Sequence, residues 1–152
     1  MAERLHRLER VYENSPVYFI PFCVEGRKPI LAHPELHAAF IRFSQQALAR
    51  DVFVGRYILM PDHVHLFVKL PPPAANFSAW MKNLKNFLSK KLNELGRAAP
   101  HWQKGFFDHI LRSGESYSAK WLYMVGNPVR AALVKSWTEW PYQGEIYPLR
   151  FD

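Results

Sequence analysis

His63-Val64-His65 is the spacing in this sequence that most directly suggests chemistry. On a β-strand, residues i and i+2 point to the same side with Cβ atoms roughly 6–7 Å apart, so both imidazoles could reach one divalent cation. Two partly buried histidines hydrogen-bonded to their neighbours would look the same in sequence, and two ligands alone do not make a stable site. A second pair, Tyr123 and Asn127, is spaced by four, which on a helix presents a phenol and a carboxamide one turn apart on one face. A free phenol titrates at about 10, so a tyrosine acting as nucleophile needs a cation nearby, and a metal there would also polarise a phosphate under attack. The plainer readings are a tyrosine on an amphipathic helix with its hydroxyl in water, and an asparagine capping the helix opened by Pro128.

Several side chains compete for these roles. Tyr117 precedes Tyr123 by six residues, about 240° around a helix, so both cannot face one site. Tyr57 belongs to the partner strand, His109 sits in an apolar run that could approach the site, and His101 falls in a loop; none is given a catalytic role. Asp62, the one carboxylate beside the histidines, is read as a turn residue. Cys23 is the single cysteine, which excludes an internal disulfide framework and a thiolate cluster for zinc, and is read as a reduced core thiol.

The elements that must carry these residues can be read from periodicity. Residues 17–24 (VYFIPFCV) have the composition of a strand, and Pro34 suits the first position of a helix of about 16 residues that ends near Asp51. Residues 52–59 and 63–70 form two apolar runs separated by Met60, Pro61 and Asp62, the spacing of a hairpin. Alternation in the second run puts His63, His65, Phe67 and Lys69 on one face and the aliphatic residues Val64, Leu66, Val68 and Leu70 on the other, the core face. After three prolines, Phe77, Trp80, Met81, Leu84, Phe87, Leu88, Lys91 and Leu95 trace one helical stripe, with Gly96 closing the helix. Residues 105–111 read as another strand, and a last helix starts near Ser116 or Ser118, breaks at Asn127 and resumes briefly through VRAALV. The tail from Trp137 onward is expected to wrap the surface.

The order strand, helix, strand, strand, helix, strand is that of an α+β, ferredoxin-like split βαβ fold. Two helices cover one face of an antiparallel sheet, and the additional C-terminal helix carrying Tyr123 is available to the other. At 152 residues the chain is expected to form a single domain (1–152) with a core at about 14–135 and a tail at 136–152.

With 49% hydrophobic and 22% charged residues, the composition excludes disorder over most of the length. No apolar run approaches the roughly 20 residues of a membrane span, and residues 1–13 mix arginines with glutamates where a signal peptide would be apolar, so a cytoplasmic, nucleoid-associated protein with no membrane partner is expected. The net charge of +7 is concentrated: residues 81–135 hold ten Lys and Arg against three acids, while the remainder is nearly balanced. Such a concentration fits a nucleic-acid surface, although a solvated basic helix kept for solubility would look similar. Lys82, Lys85, Lys90, Arg112 and Arg130 are the expected DNA-binding residues, as phosphate ligands that position a strand without reading bases. Trp102 and Phe106 could stack on unpaired bases, but aromatic residues are more often core.

YILMPDHVHLFV at 57–68, a lysine-rich helix, WQKGFFDHILRS at 102–113 and YMVGNPVRAALV at 123–134 resemble, in that order, the HUH single-tyrosine transposases, and specifically their REP-associated tyrosine transposase branch. The resemblance spans most of residues 14–137. It implies that His63 and His65 bind a divalent metal, that Asn127 completes the metal site, and that Tyr123 is the catalytic nucleophile. It further implies cutting of single-stranded DNA beside a hairpin, through a 5′-phosphotyrosine and a free 3′-hydroxyl, with rejoining that needs no energy cofactor. The metal would be Mg²⁺ or Mn²⁺; imidazole suits transition ions better, which makes Mn²⁺ plausible, and a phosphate would supply the missing anionic oxygens. The resemblance leaves open monomer or homodimer.

Two other functions fit the same residues. One is a non-catalytic module, derived from a transposase, that binds structured DNA or RNA; the other is a metal phosphohydrolase using water, with Tyr123 structural. A covalent protein–DNA link through Tyr123 distinguishes all three.

Overall fold

The computed structural model describes residues 17–70, 77–105, 109–111 and 114–149. Strand β1 (Val17–Cys23) leads through a 3-10 turn to helix α1 (Pro34–Ala47), then β2 (Phe53–Leu59), β3 (His63–Lys69), helix α2 (Phe77–Glu94), β4 (His109–Leu111), helix α3 (Gly114–Val125), the single turn α4 (Asn127–Arg130) and β5 (Gln143–Glu145). The sheet order is β4-β1-β3-β2-β5, with every neighbouring pair antiparallel. The first four strands form the expected ferredoxin-like sheet.

Local chemistry explains the element ends. Pro34 opens α1, and the ring Nδ1 of His33 accepts the Glu35 backbone N–H, satisfying one of the donors that a helix start leaves unpaired. The helix tightens into a 3-10 turn at Leu48–Arg50 and stops at Asp51, whose left-handed φ of 62° is tolerated by a short polar side chain.

Alternation along the strands then sorts side chains into two layers. Ile20, Phe22, Leu59, Val64, Leu66 and Val68 face α1 and α2, where Leu36, Phe40, Met81, Leu84 and Leu88 are fully buried. On the opposite face, Val17, Ile58 and Phe67 pack with Tyr117 and Met124 of α3 and with Trp140. The expected layering, two helices on one face and the tyrosine helix on the other, is what the chain adopts. Truncating a ring such as Phe67, buried under α3, would cost about 3–5 kcal/mol.

Three local expectations change. Helix α3 starts at Gly114, ahead of both serines, because Tyr117 already needs helical geometry to lay its ring on Phe67, centroids 4.4 Å apart. The helix expected through VRAALV ends at Arg130: Leu133 N–H returns to the Pro128 carbonyl and Ala132 N–H to Val129, a Schellman closure with Ala132 left-handed at φ 59°. The tail does more than wrap the surface. Residues 143–145 add a fifth strand against β2, and Trp140 is buried with its indole N–H on the Leu59 carbonyl at 3.0 Å.

Candidate active site

Strand β3 carries both histidines on the sheet face turned away from α1 and α2. Their rings meet edge to face, centroids 4.8 Å apart. Opposite them on β1 lie Cys23, in register with His63, and Pro21, in register with His65. Cys23 is therefore half-buried at the end of this face and is not the core thiol expected; its Sγ accepts from Arg27 at 2.9 Å.

His63 is held by a carboxylate. Its Nδ1 lies 2.7 Å from Asp62 Oδ1, and since a carboxylate only accepts, Nδ1 carries the proton and donates it to Asp62. Asp62 Oδ2 in turn accepts from Arg27 Nε at 2.9 Å. Burial pulls the Asp62 carboxyl up, but the hydrogen bonds and charges of His63 and Arg27 together outweigh it and leave the group below the usual carboxylate range. Arg27 reaches Asp62 because Gly26 and Arg27 are both left-handed, at φ 68° and 54°. Asp62 thus orients the first histidine, a role that sequence reasoning missed when it gave Asp62 to the turn. Its adjacency to His63 was the available signal.

His65 stacks on Phe19, with ring planes 10° apart and centroids 5.5 Å apart. Burial, with the charges of His63 and Arg27 adding to it, pushes its pKa down to about 4, so the ring is neutral near pH 7. Its Nδ1 is buried and has no hydrogen-bond partner. A buried, neutral imidazole with an orphaned nitrogen, beside a second imidazole whose Nδ1–H is held by a carboxylate, is a donor set that fits a divalent cation. Among the described residues no three His, Cys, Asp or Glu side chains gather into a metal cluster, so further oxygens must come from an amide, water or a phosphate.

Helix α3 lies over this same face. Tyr117 is buried on Phe67, and Lys120 places its Nζ 4.9 Å from the centre of the Phe19 ring, which stacks on His65. Tyr123 is one turn further on and points outward, 69% exposed, with the Arg130 guanidinium 4.2 Å from its ring centre. Arg130 Nη2 also donates to the Tyr123 carbonyl at 2.6 Å and to Asn127 Oδ1. The capping role considered for Asn127 is not seen: Gly126 occupies the N-cap position, and the Asn127 carboxamide is taken by Arg130. The structure therefore brings His63 and His65 together, and Tyr123, Asn127 and Arg130 together. Among the described residues, Tyr123 makes no ring contact or hydrogen bond with either imidazole.

The other candidates separate clearly. Tyr57 is buried against His37 Nε2 at 2.6 Å, and burial pushes its phenol up to about 12, which removes it as a nucleophile. His101 is buried between Ser89 and the Arg97 carbonyl. Trp102 packs on Phe22 and donates to Ser89 Oγ, so it is part of the scaffold. Lys82 and Lys90 are exposed on α2, on the side of the sheet away from the histidines. Lys85 is half-buried, donates to the Gly105 carbonyl at 2.9 Å, and burial pulls its pKa down. Arg112 and Phe106 lie outside the described residues, as does the His109 side chain. No helix among the described residues is long and apolar enough to cross a membrane.

The family described as "Transposase IS200 like" matches residues 15–120, a span that includes both histidines and ends three residues before Tyr123. A protein of Haemophilus influenzae provisionally named a REP-associated tyrosine transposase is 27% identical over 107 residues, 59% of this chain; the chain spans 61% of that relative's length. The REP-associated tyrosine transposase of Escherichia coli K12 is 26% identical over 136 residues, 88% of this chain and 78% of that one. The solved structure of a REP-associated tyrosine transposase bound to a REP hairpin shares the fold, with a TM-score of 0.69 at 23% identity over 87% of this chain and 78% of the other.

Proposed function

This chain belongs to the IS200-like transposase family, and from that premise we propose that it nicks and rejoins single-stranded DNA beside a hairpin, with Tyr123 as the nucleophile. The observation that carries the proposal is the imidazole pair: His63 with its Nδ1–H held by Asp62, and His65 neutral with an unpaired buried nitrogen, both on the sheet face against which the helix bearing Tyr123 packs. The names of the relatives, and the hairpin bound by the structural neighbour, point the same way.

His63 and His65 would hold a divalent ion, Mg²⁺ or Mn²⁺, with Asn127 Oδ1 as a third donor once Arg130 releases it. When bound, the ion supplies charge that stabilises the pentavalent phosphorus and favours the phenolate. Tyr123 Oη attacks the phosphorus; the Oη–P bond forms, the P–O3′ bond breaks, and the phenolic proton ends on the departing 3′-oxygen. Rejoining is the same exchange in reverse, so the phosphodiester energy is kept in the phosphotyrosine. Arg130 now covers the ring of Tyr123 and holds Asn127, and a scissile phosphate would offer its guanidinium a doubly hydrogen-bonded partner. Exchange of that partner would free both side chains.

The test is a labelled single-stranded hairpin incubated with the protein and Mn²⁺. A protein-linked strand that disappears in Tyr123→Phe is expected. A second function, hairpin binding without turnover, is favoured by the outward-facing Tyr123 ring; retention of the hairpin with no linked strand would establish it and refute nicking. Cleavage without linkage would point to water as the nucleophile.

A further inference from the structure

We infer that the groove between α3 and the turn following α4 seats unpaired bases of a DNA strand next to the bond that Tyr123 attacks; the inference rests on the nicking function proposed above. The groove encloses about 600 Å³ and is lined by Trp121, Leu122, Val129, Arg130, Lys135 and Trp137, among others. That volume is typical of ligand sites, which span roughly 300–1,000 Å³. Arg130 lines the groove and also covers the Tyr123 ring, 4.2 Å from its centre, so one guanidinium links the groove to the nucleophile although Tyr123 itself is not part of the lining.

Its apolar residues are displayed by a rigid scaffold. Leu122 is 69% exposed and Trp137 50%, both large side chains that a free chain would gain by covering. Yet the Trp137–Glu139 turn is pinned: Gln143 Nε2 donates to the Trp137 carbonyl at 2.7 Å and to the Trp140 carbonyl at 2.9 Å, and Trp140 is anchored by its indole to Leu59. A tryptophan held out on a fixed turn loses little freedom when a flat group stacks on it, which is the requirement for a base platform.

Charge selects the occupant. The groove is lined by two cations, Arg130 and Lys135, and by no acid. Glu139, nearby, is turned onto the Lys135 backbone N–H at 3.3 Å. Apolar faces between phosphate-binding cations match a single strand, whose bases are exposed and whose backbone is anionic; a duplex hides its base faces. A second copy of the chain, docked groove to groove about a two-fold axis, would bring both copies' Arg130 and Lys135 into one interface with no acid in the lining to offset them.

The experiment uses the full chain carrying Tyr123→Phe, so that cleavage cannot consume the probe. Fluorescein-labelled DNA hairpins carry a short unpaired flank on the 5′ side, the 3′ side, or neither, and binding is read by anisotropy. Trp137→Ala is expected to weaken binding of one flanked hairpin by about 5- to 150-fold while leaving the blunt hairpin unchanged, with Trp137→Phe recovering most of the loss. Lys135→Ala, which leaves the turn intact, should also weaken only the flanked probe. Equal losses on flanked and blunt probes, or none on either, would overturn the inference. So would sedimentation showing a dimer that Trp137→Ala dissociates, since the occupant would then be a second copy. If Tyr123 forms no covalent link but the flank dependence holds, nicking fails and the groove stands.

Discussion

Asp62→Ala tests whether the carboxylate that orients His63 contributes to the proposed metal site. In the folded chain, Asp62 Oδ1 sits 2.7 Å from His63 Nδ1, with the two side chains 26% and 16% exposed. A hydrogen bond to a charged group contributes about 1.5–3 kcal/mol. Partial exposure places this one at the lower end, about 1.5–2 kcal/mol, or roughly a 10- to 30-fold weaker Mn²⁺ affinity, within the 10- to 100-fold range for such supporting carboxylates. Asp62→Asn keeps an acceptor oxygen and loses only the charge, so it should cost less. Arg27→Ala breaks an ion pair in which the arginine is 51% exposed, and should cost least. Mn²⁺ titration followed by electron paramagnetic resonance, with and without a hairpin in the Tyr123→Phe background, gives the affinities. Nitrogen NMR of the histidines gives an independent readout, since the Nδ1–H form of His63 should lose its dominance in Asp62→Ala. Wild-type affinity in Asp62→Ala, with binding abolished in His63→Ala, would refute the orienting role, as would a larger loss from Arg27→Ala than from Asp62→Ala.

Two further expectations concern stability. Above pH 6.5 the His65 ring is neutral both folded and unfolded; between 6.5 and about 4 only the unfolded chain takes up the proton, so the metal-free protein should lose stability as pH falls through that window, by at most about 3 kcal/mol from this group. Burial of His37 acts in the same direction and Asp62 adds a loss only at more acidic pH, so His65→Phe should flatten the slope of the urea midpoint against pH without abolishing it. An unchanged slope would mean that the ring is protonated in the folded chain. Gly55→Ala should destabilise by about 1–3 kcal/mol, because a Cβ there would stand 2.5 Å from Leu149 Cδ1 and 3.1 Å from the Tyr117 hydroxyl, pushing α3 off the sheet; a wild-type urea midpoint would show that Leu149 simply swings aside.

What could be read in the sequence follows the range of the forces involved. The placement of His63 and His65 on one face, with Val64, Leu66 and Val68 on the other, needs only the two-residue strand period, and the structure has it. The link from Arg27 to Asp62 crosses 35 residues and depends on two consecutive left-handed residues, which no periodicity announces. Strand β5 is three residues, Gln-Gly-Glu, with no apolar alternation; backbone pairing to β2 makes it a strand. The short helix through VRAALV looked longer because its residues favour helix, but a left-handed Ala132 closes it. The angular relation between the two tyrosines of α3 was legible and has the larger consequence. With Tyr117 on Phe67 and Tyr123 about 240° further round, burying the first obliges the second to stand clear of the sheet. Attack by Tyr123 at the imidazole pair therefore requires its ring, or the end of α3 at the break marked by Gly126, to move inward once Arg130 lets go. A nucleophile kept outward under a guanidinium and drawn in by phosphate would be inactive until DNA arrives.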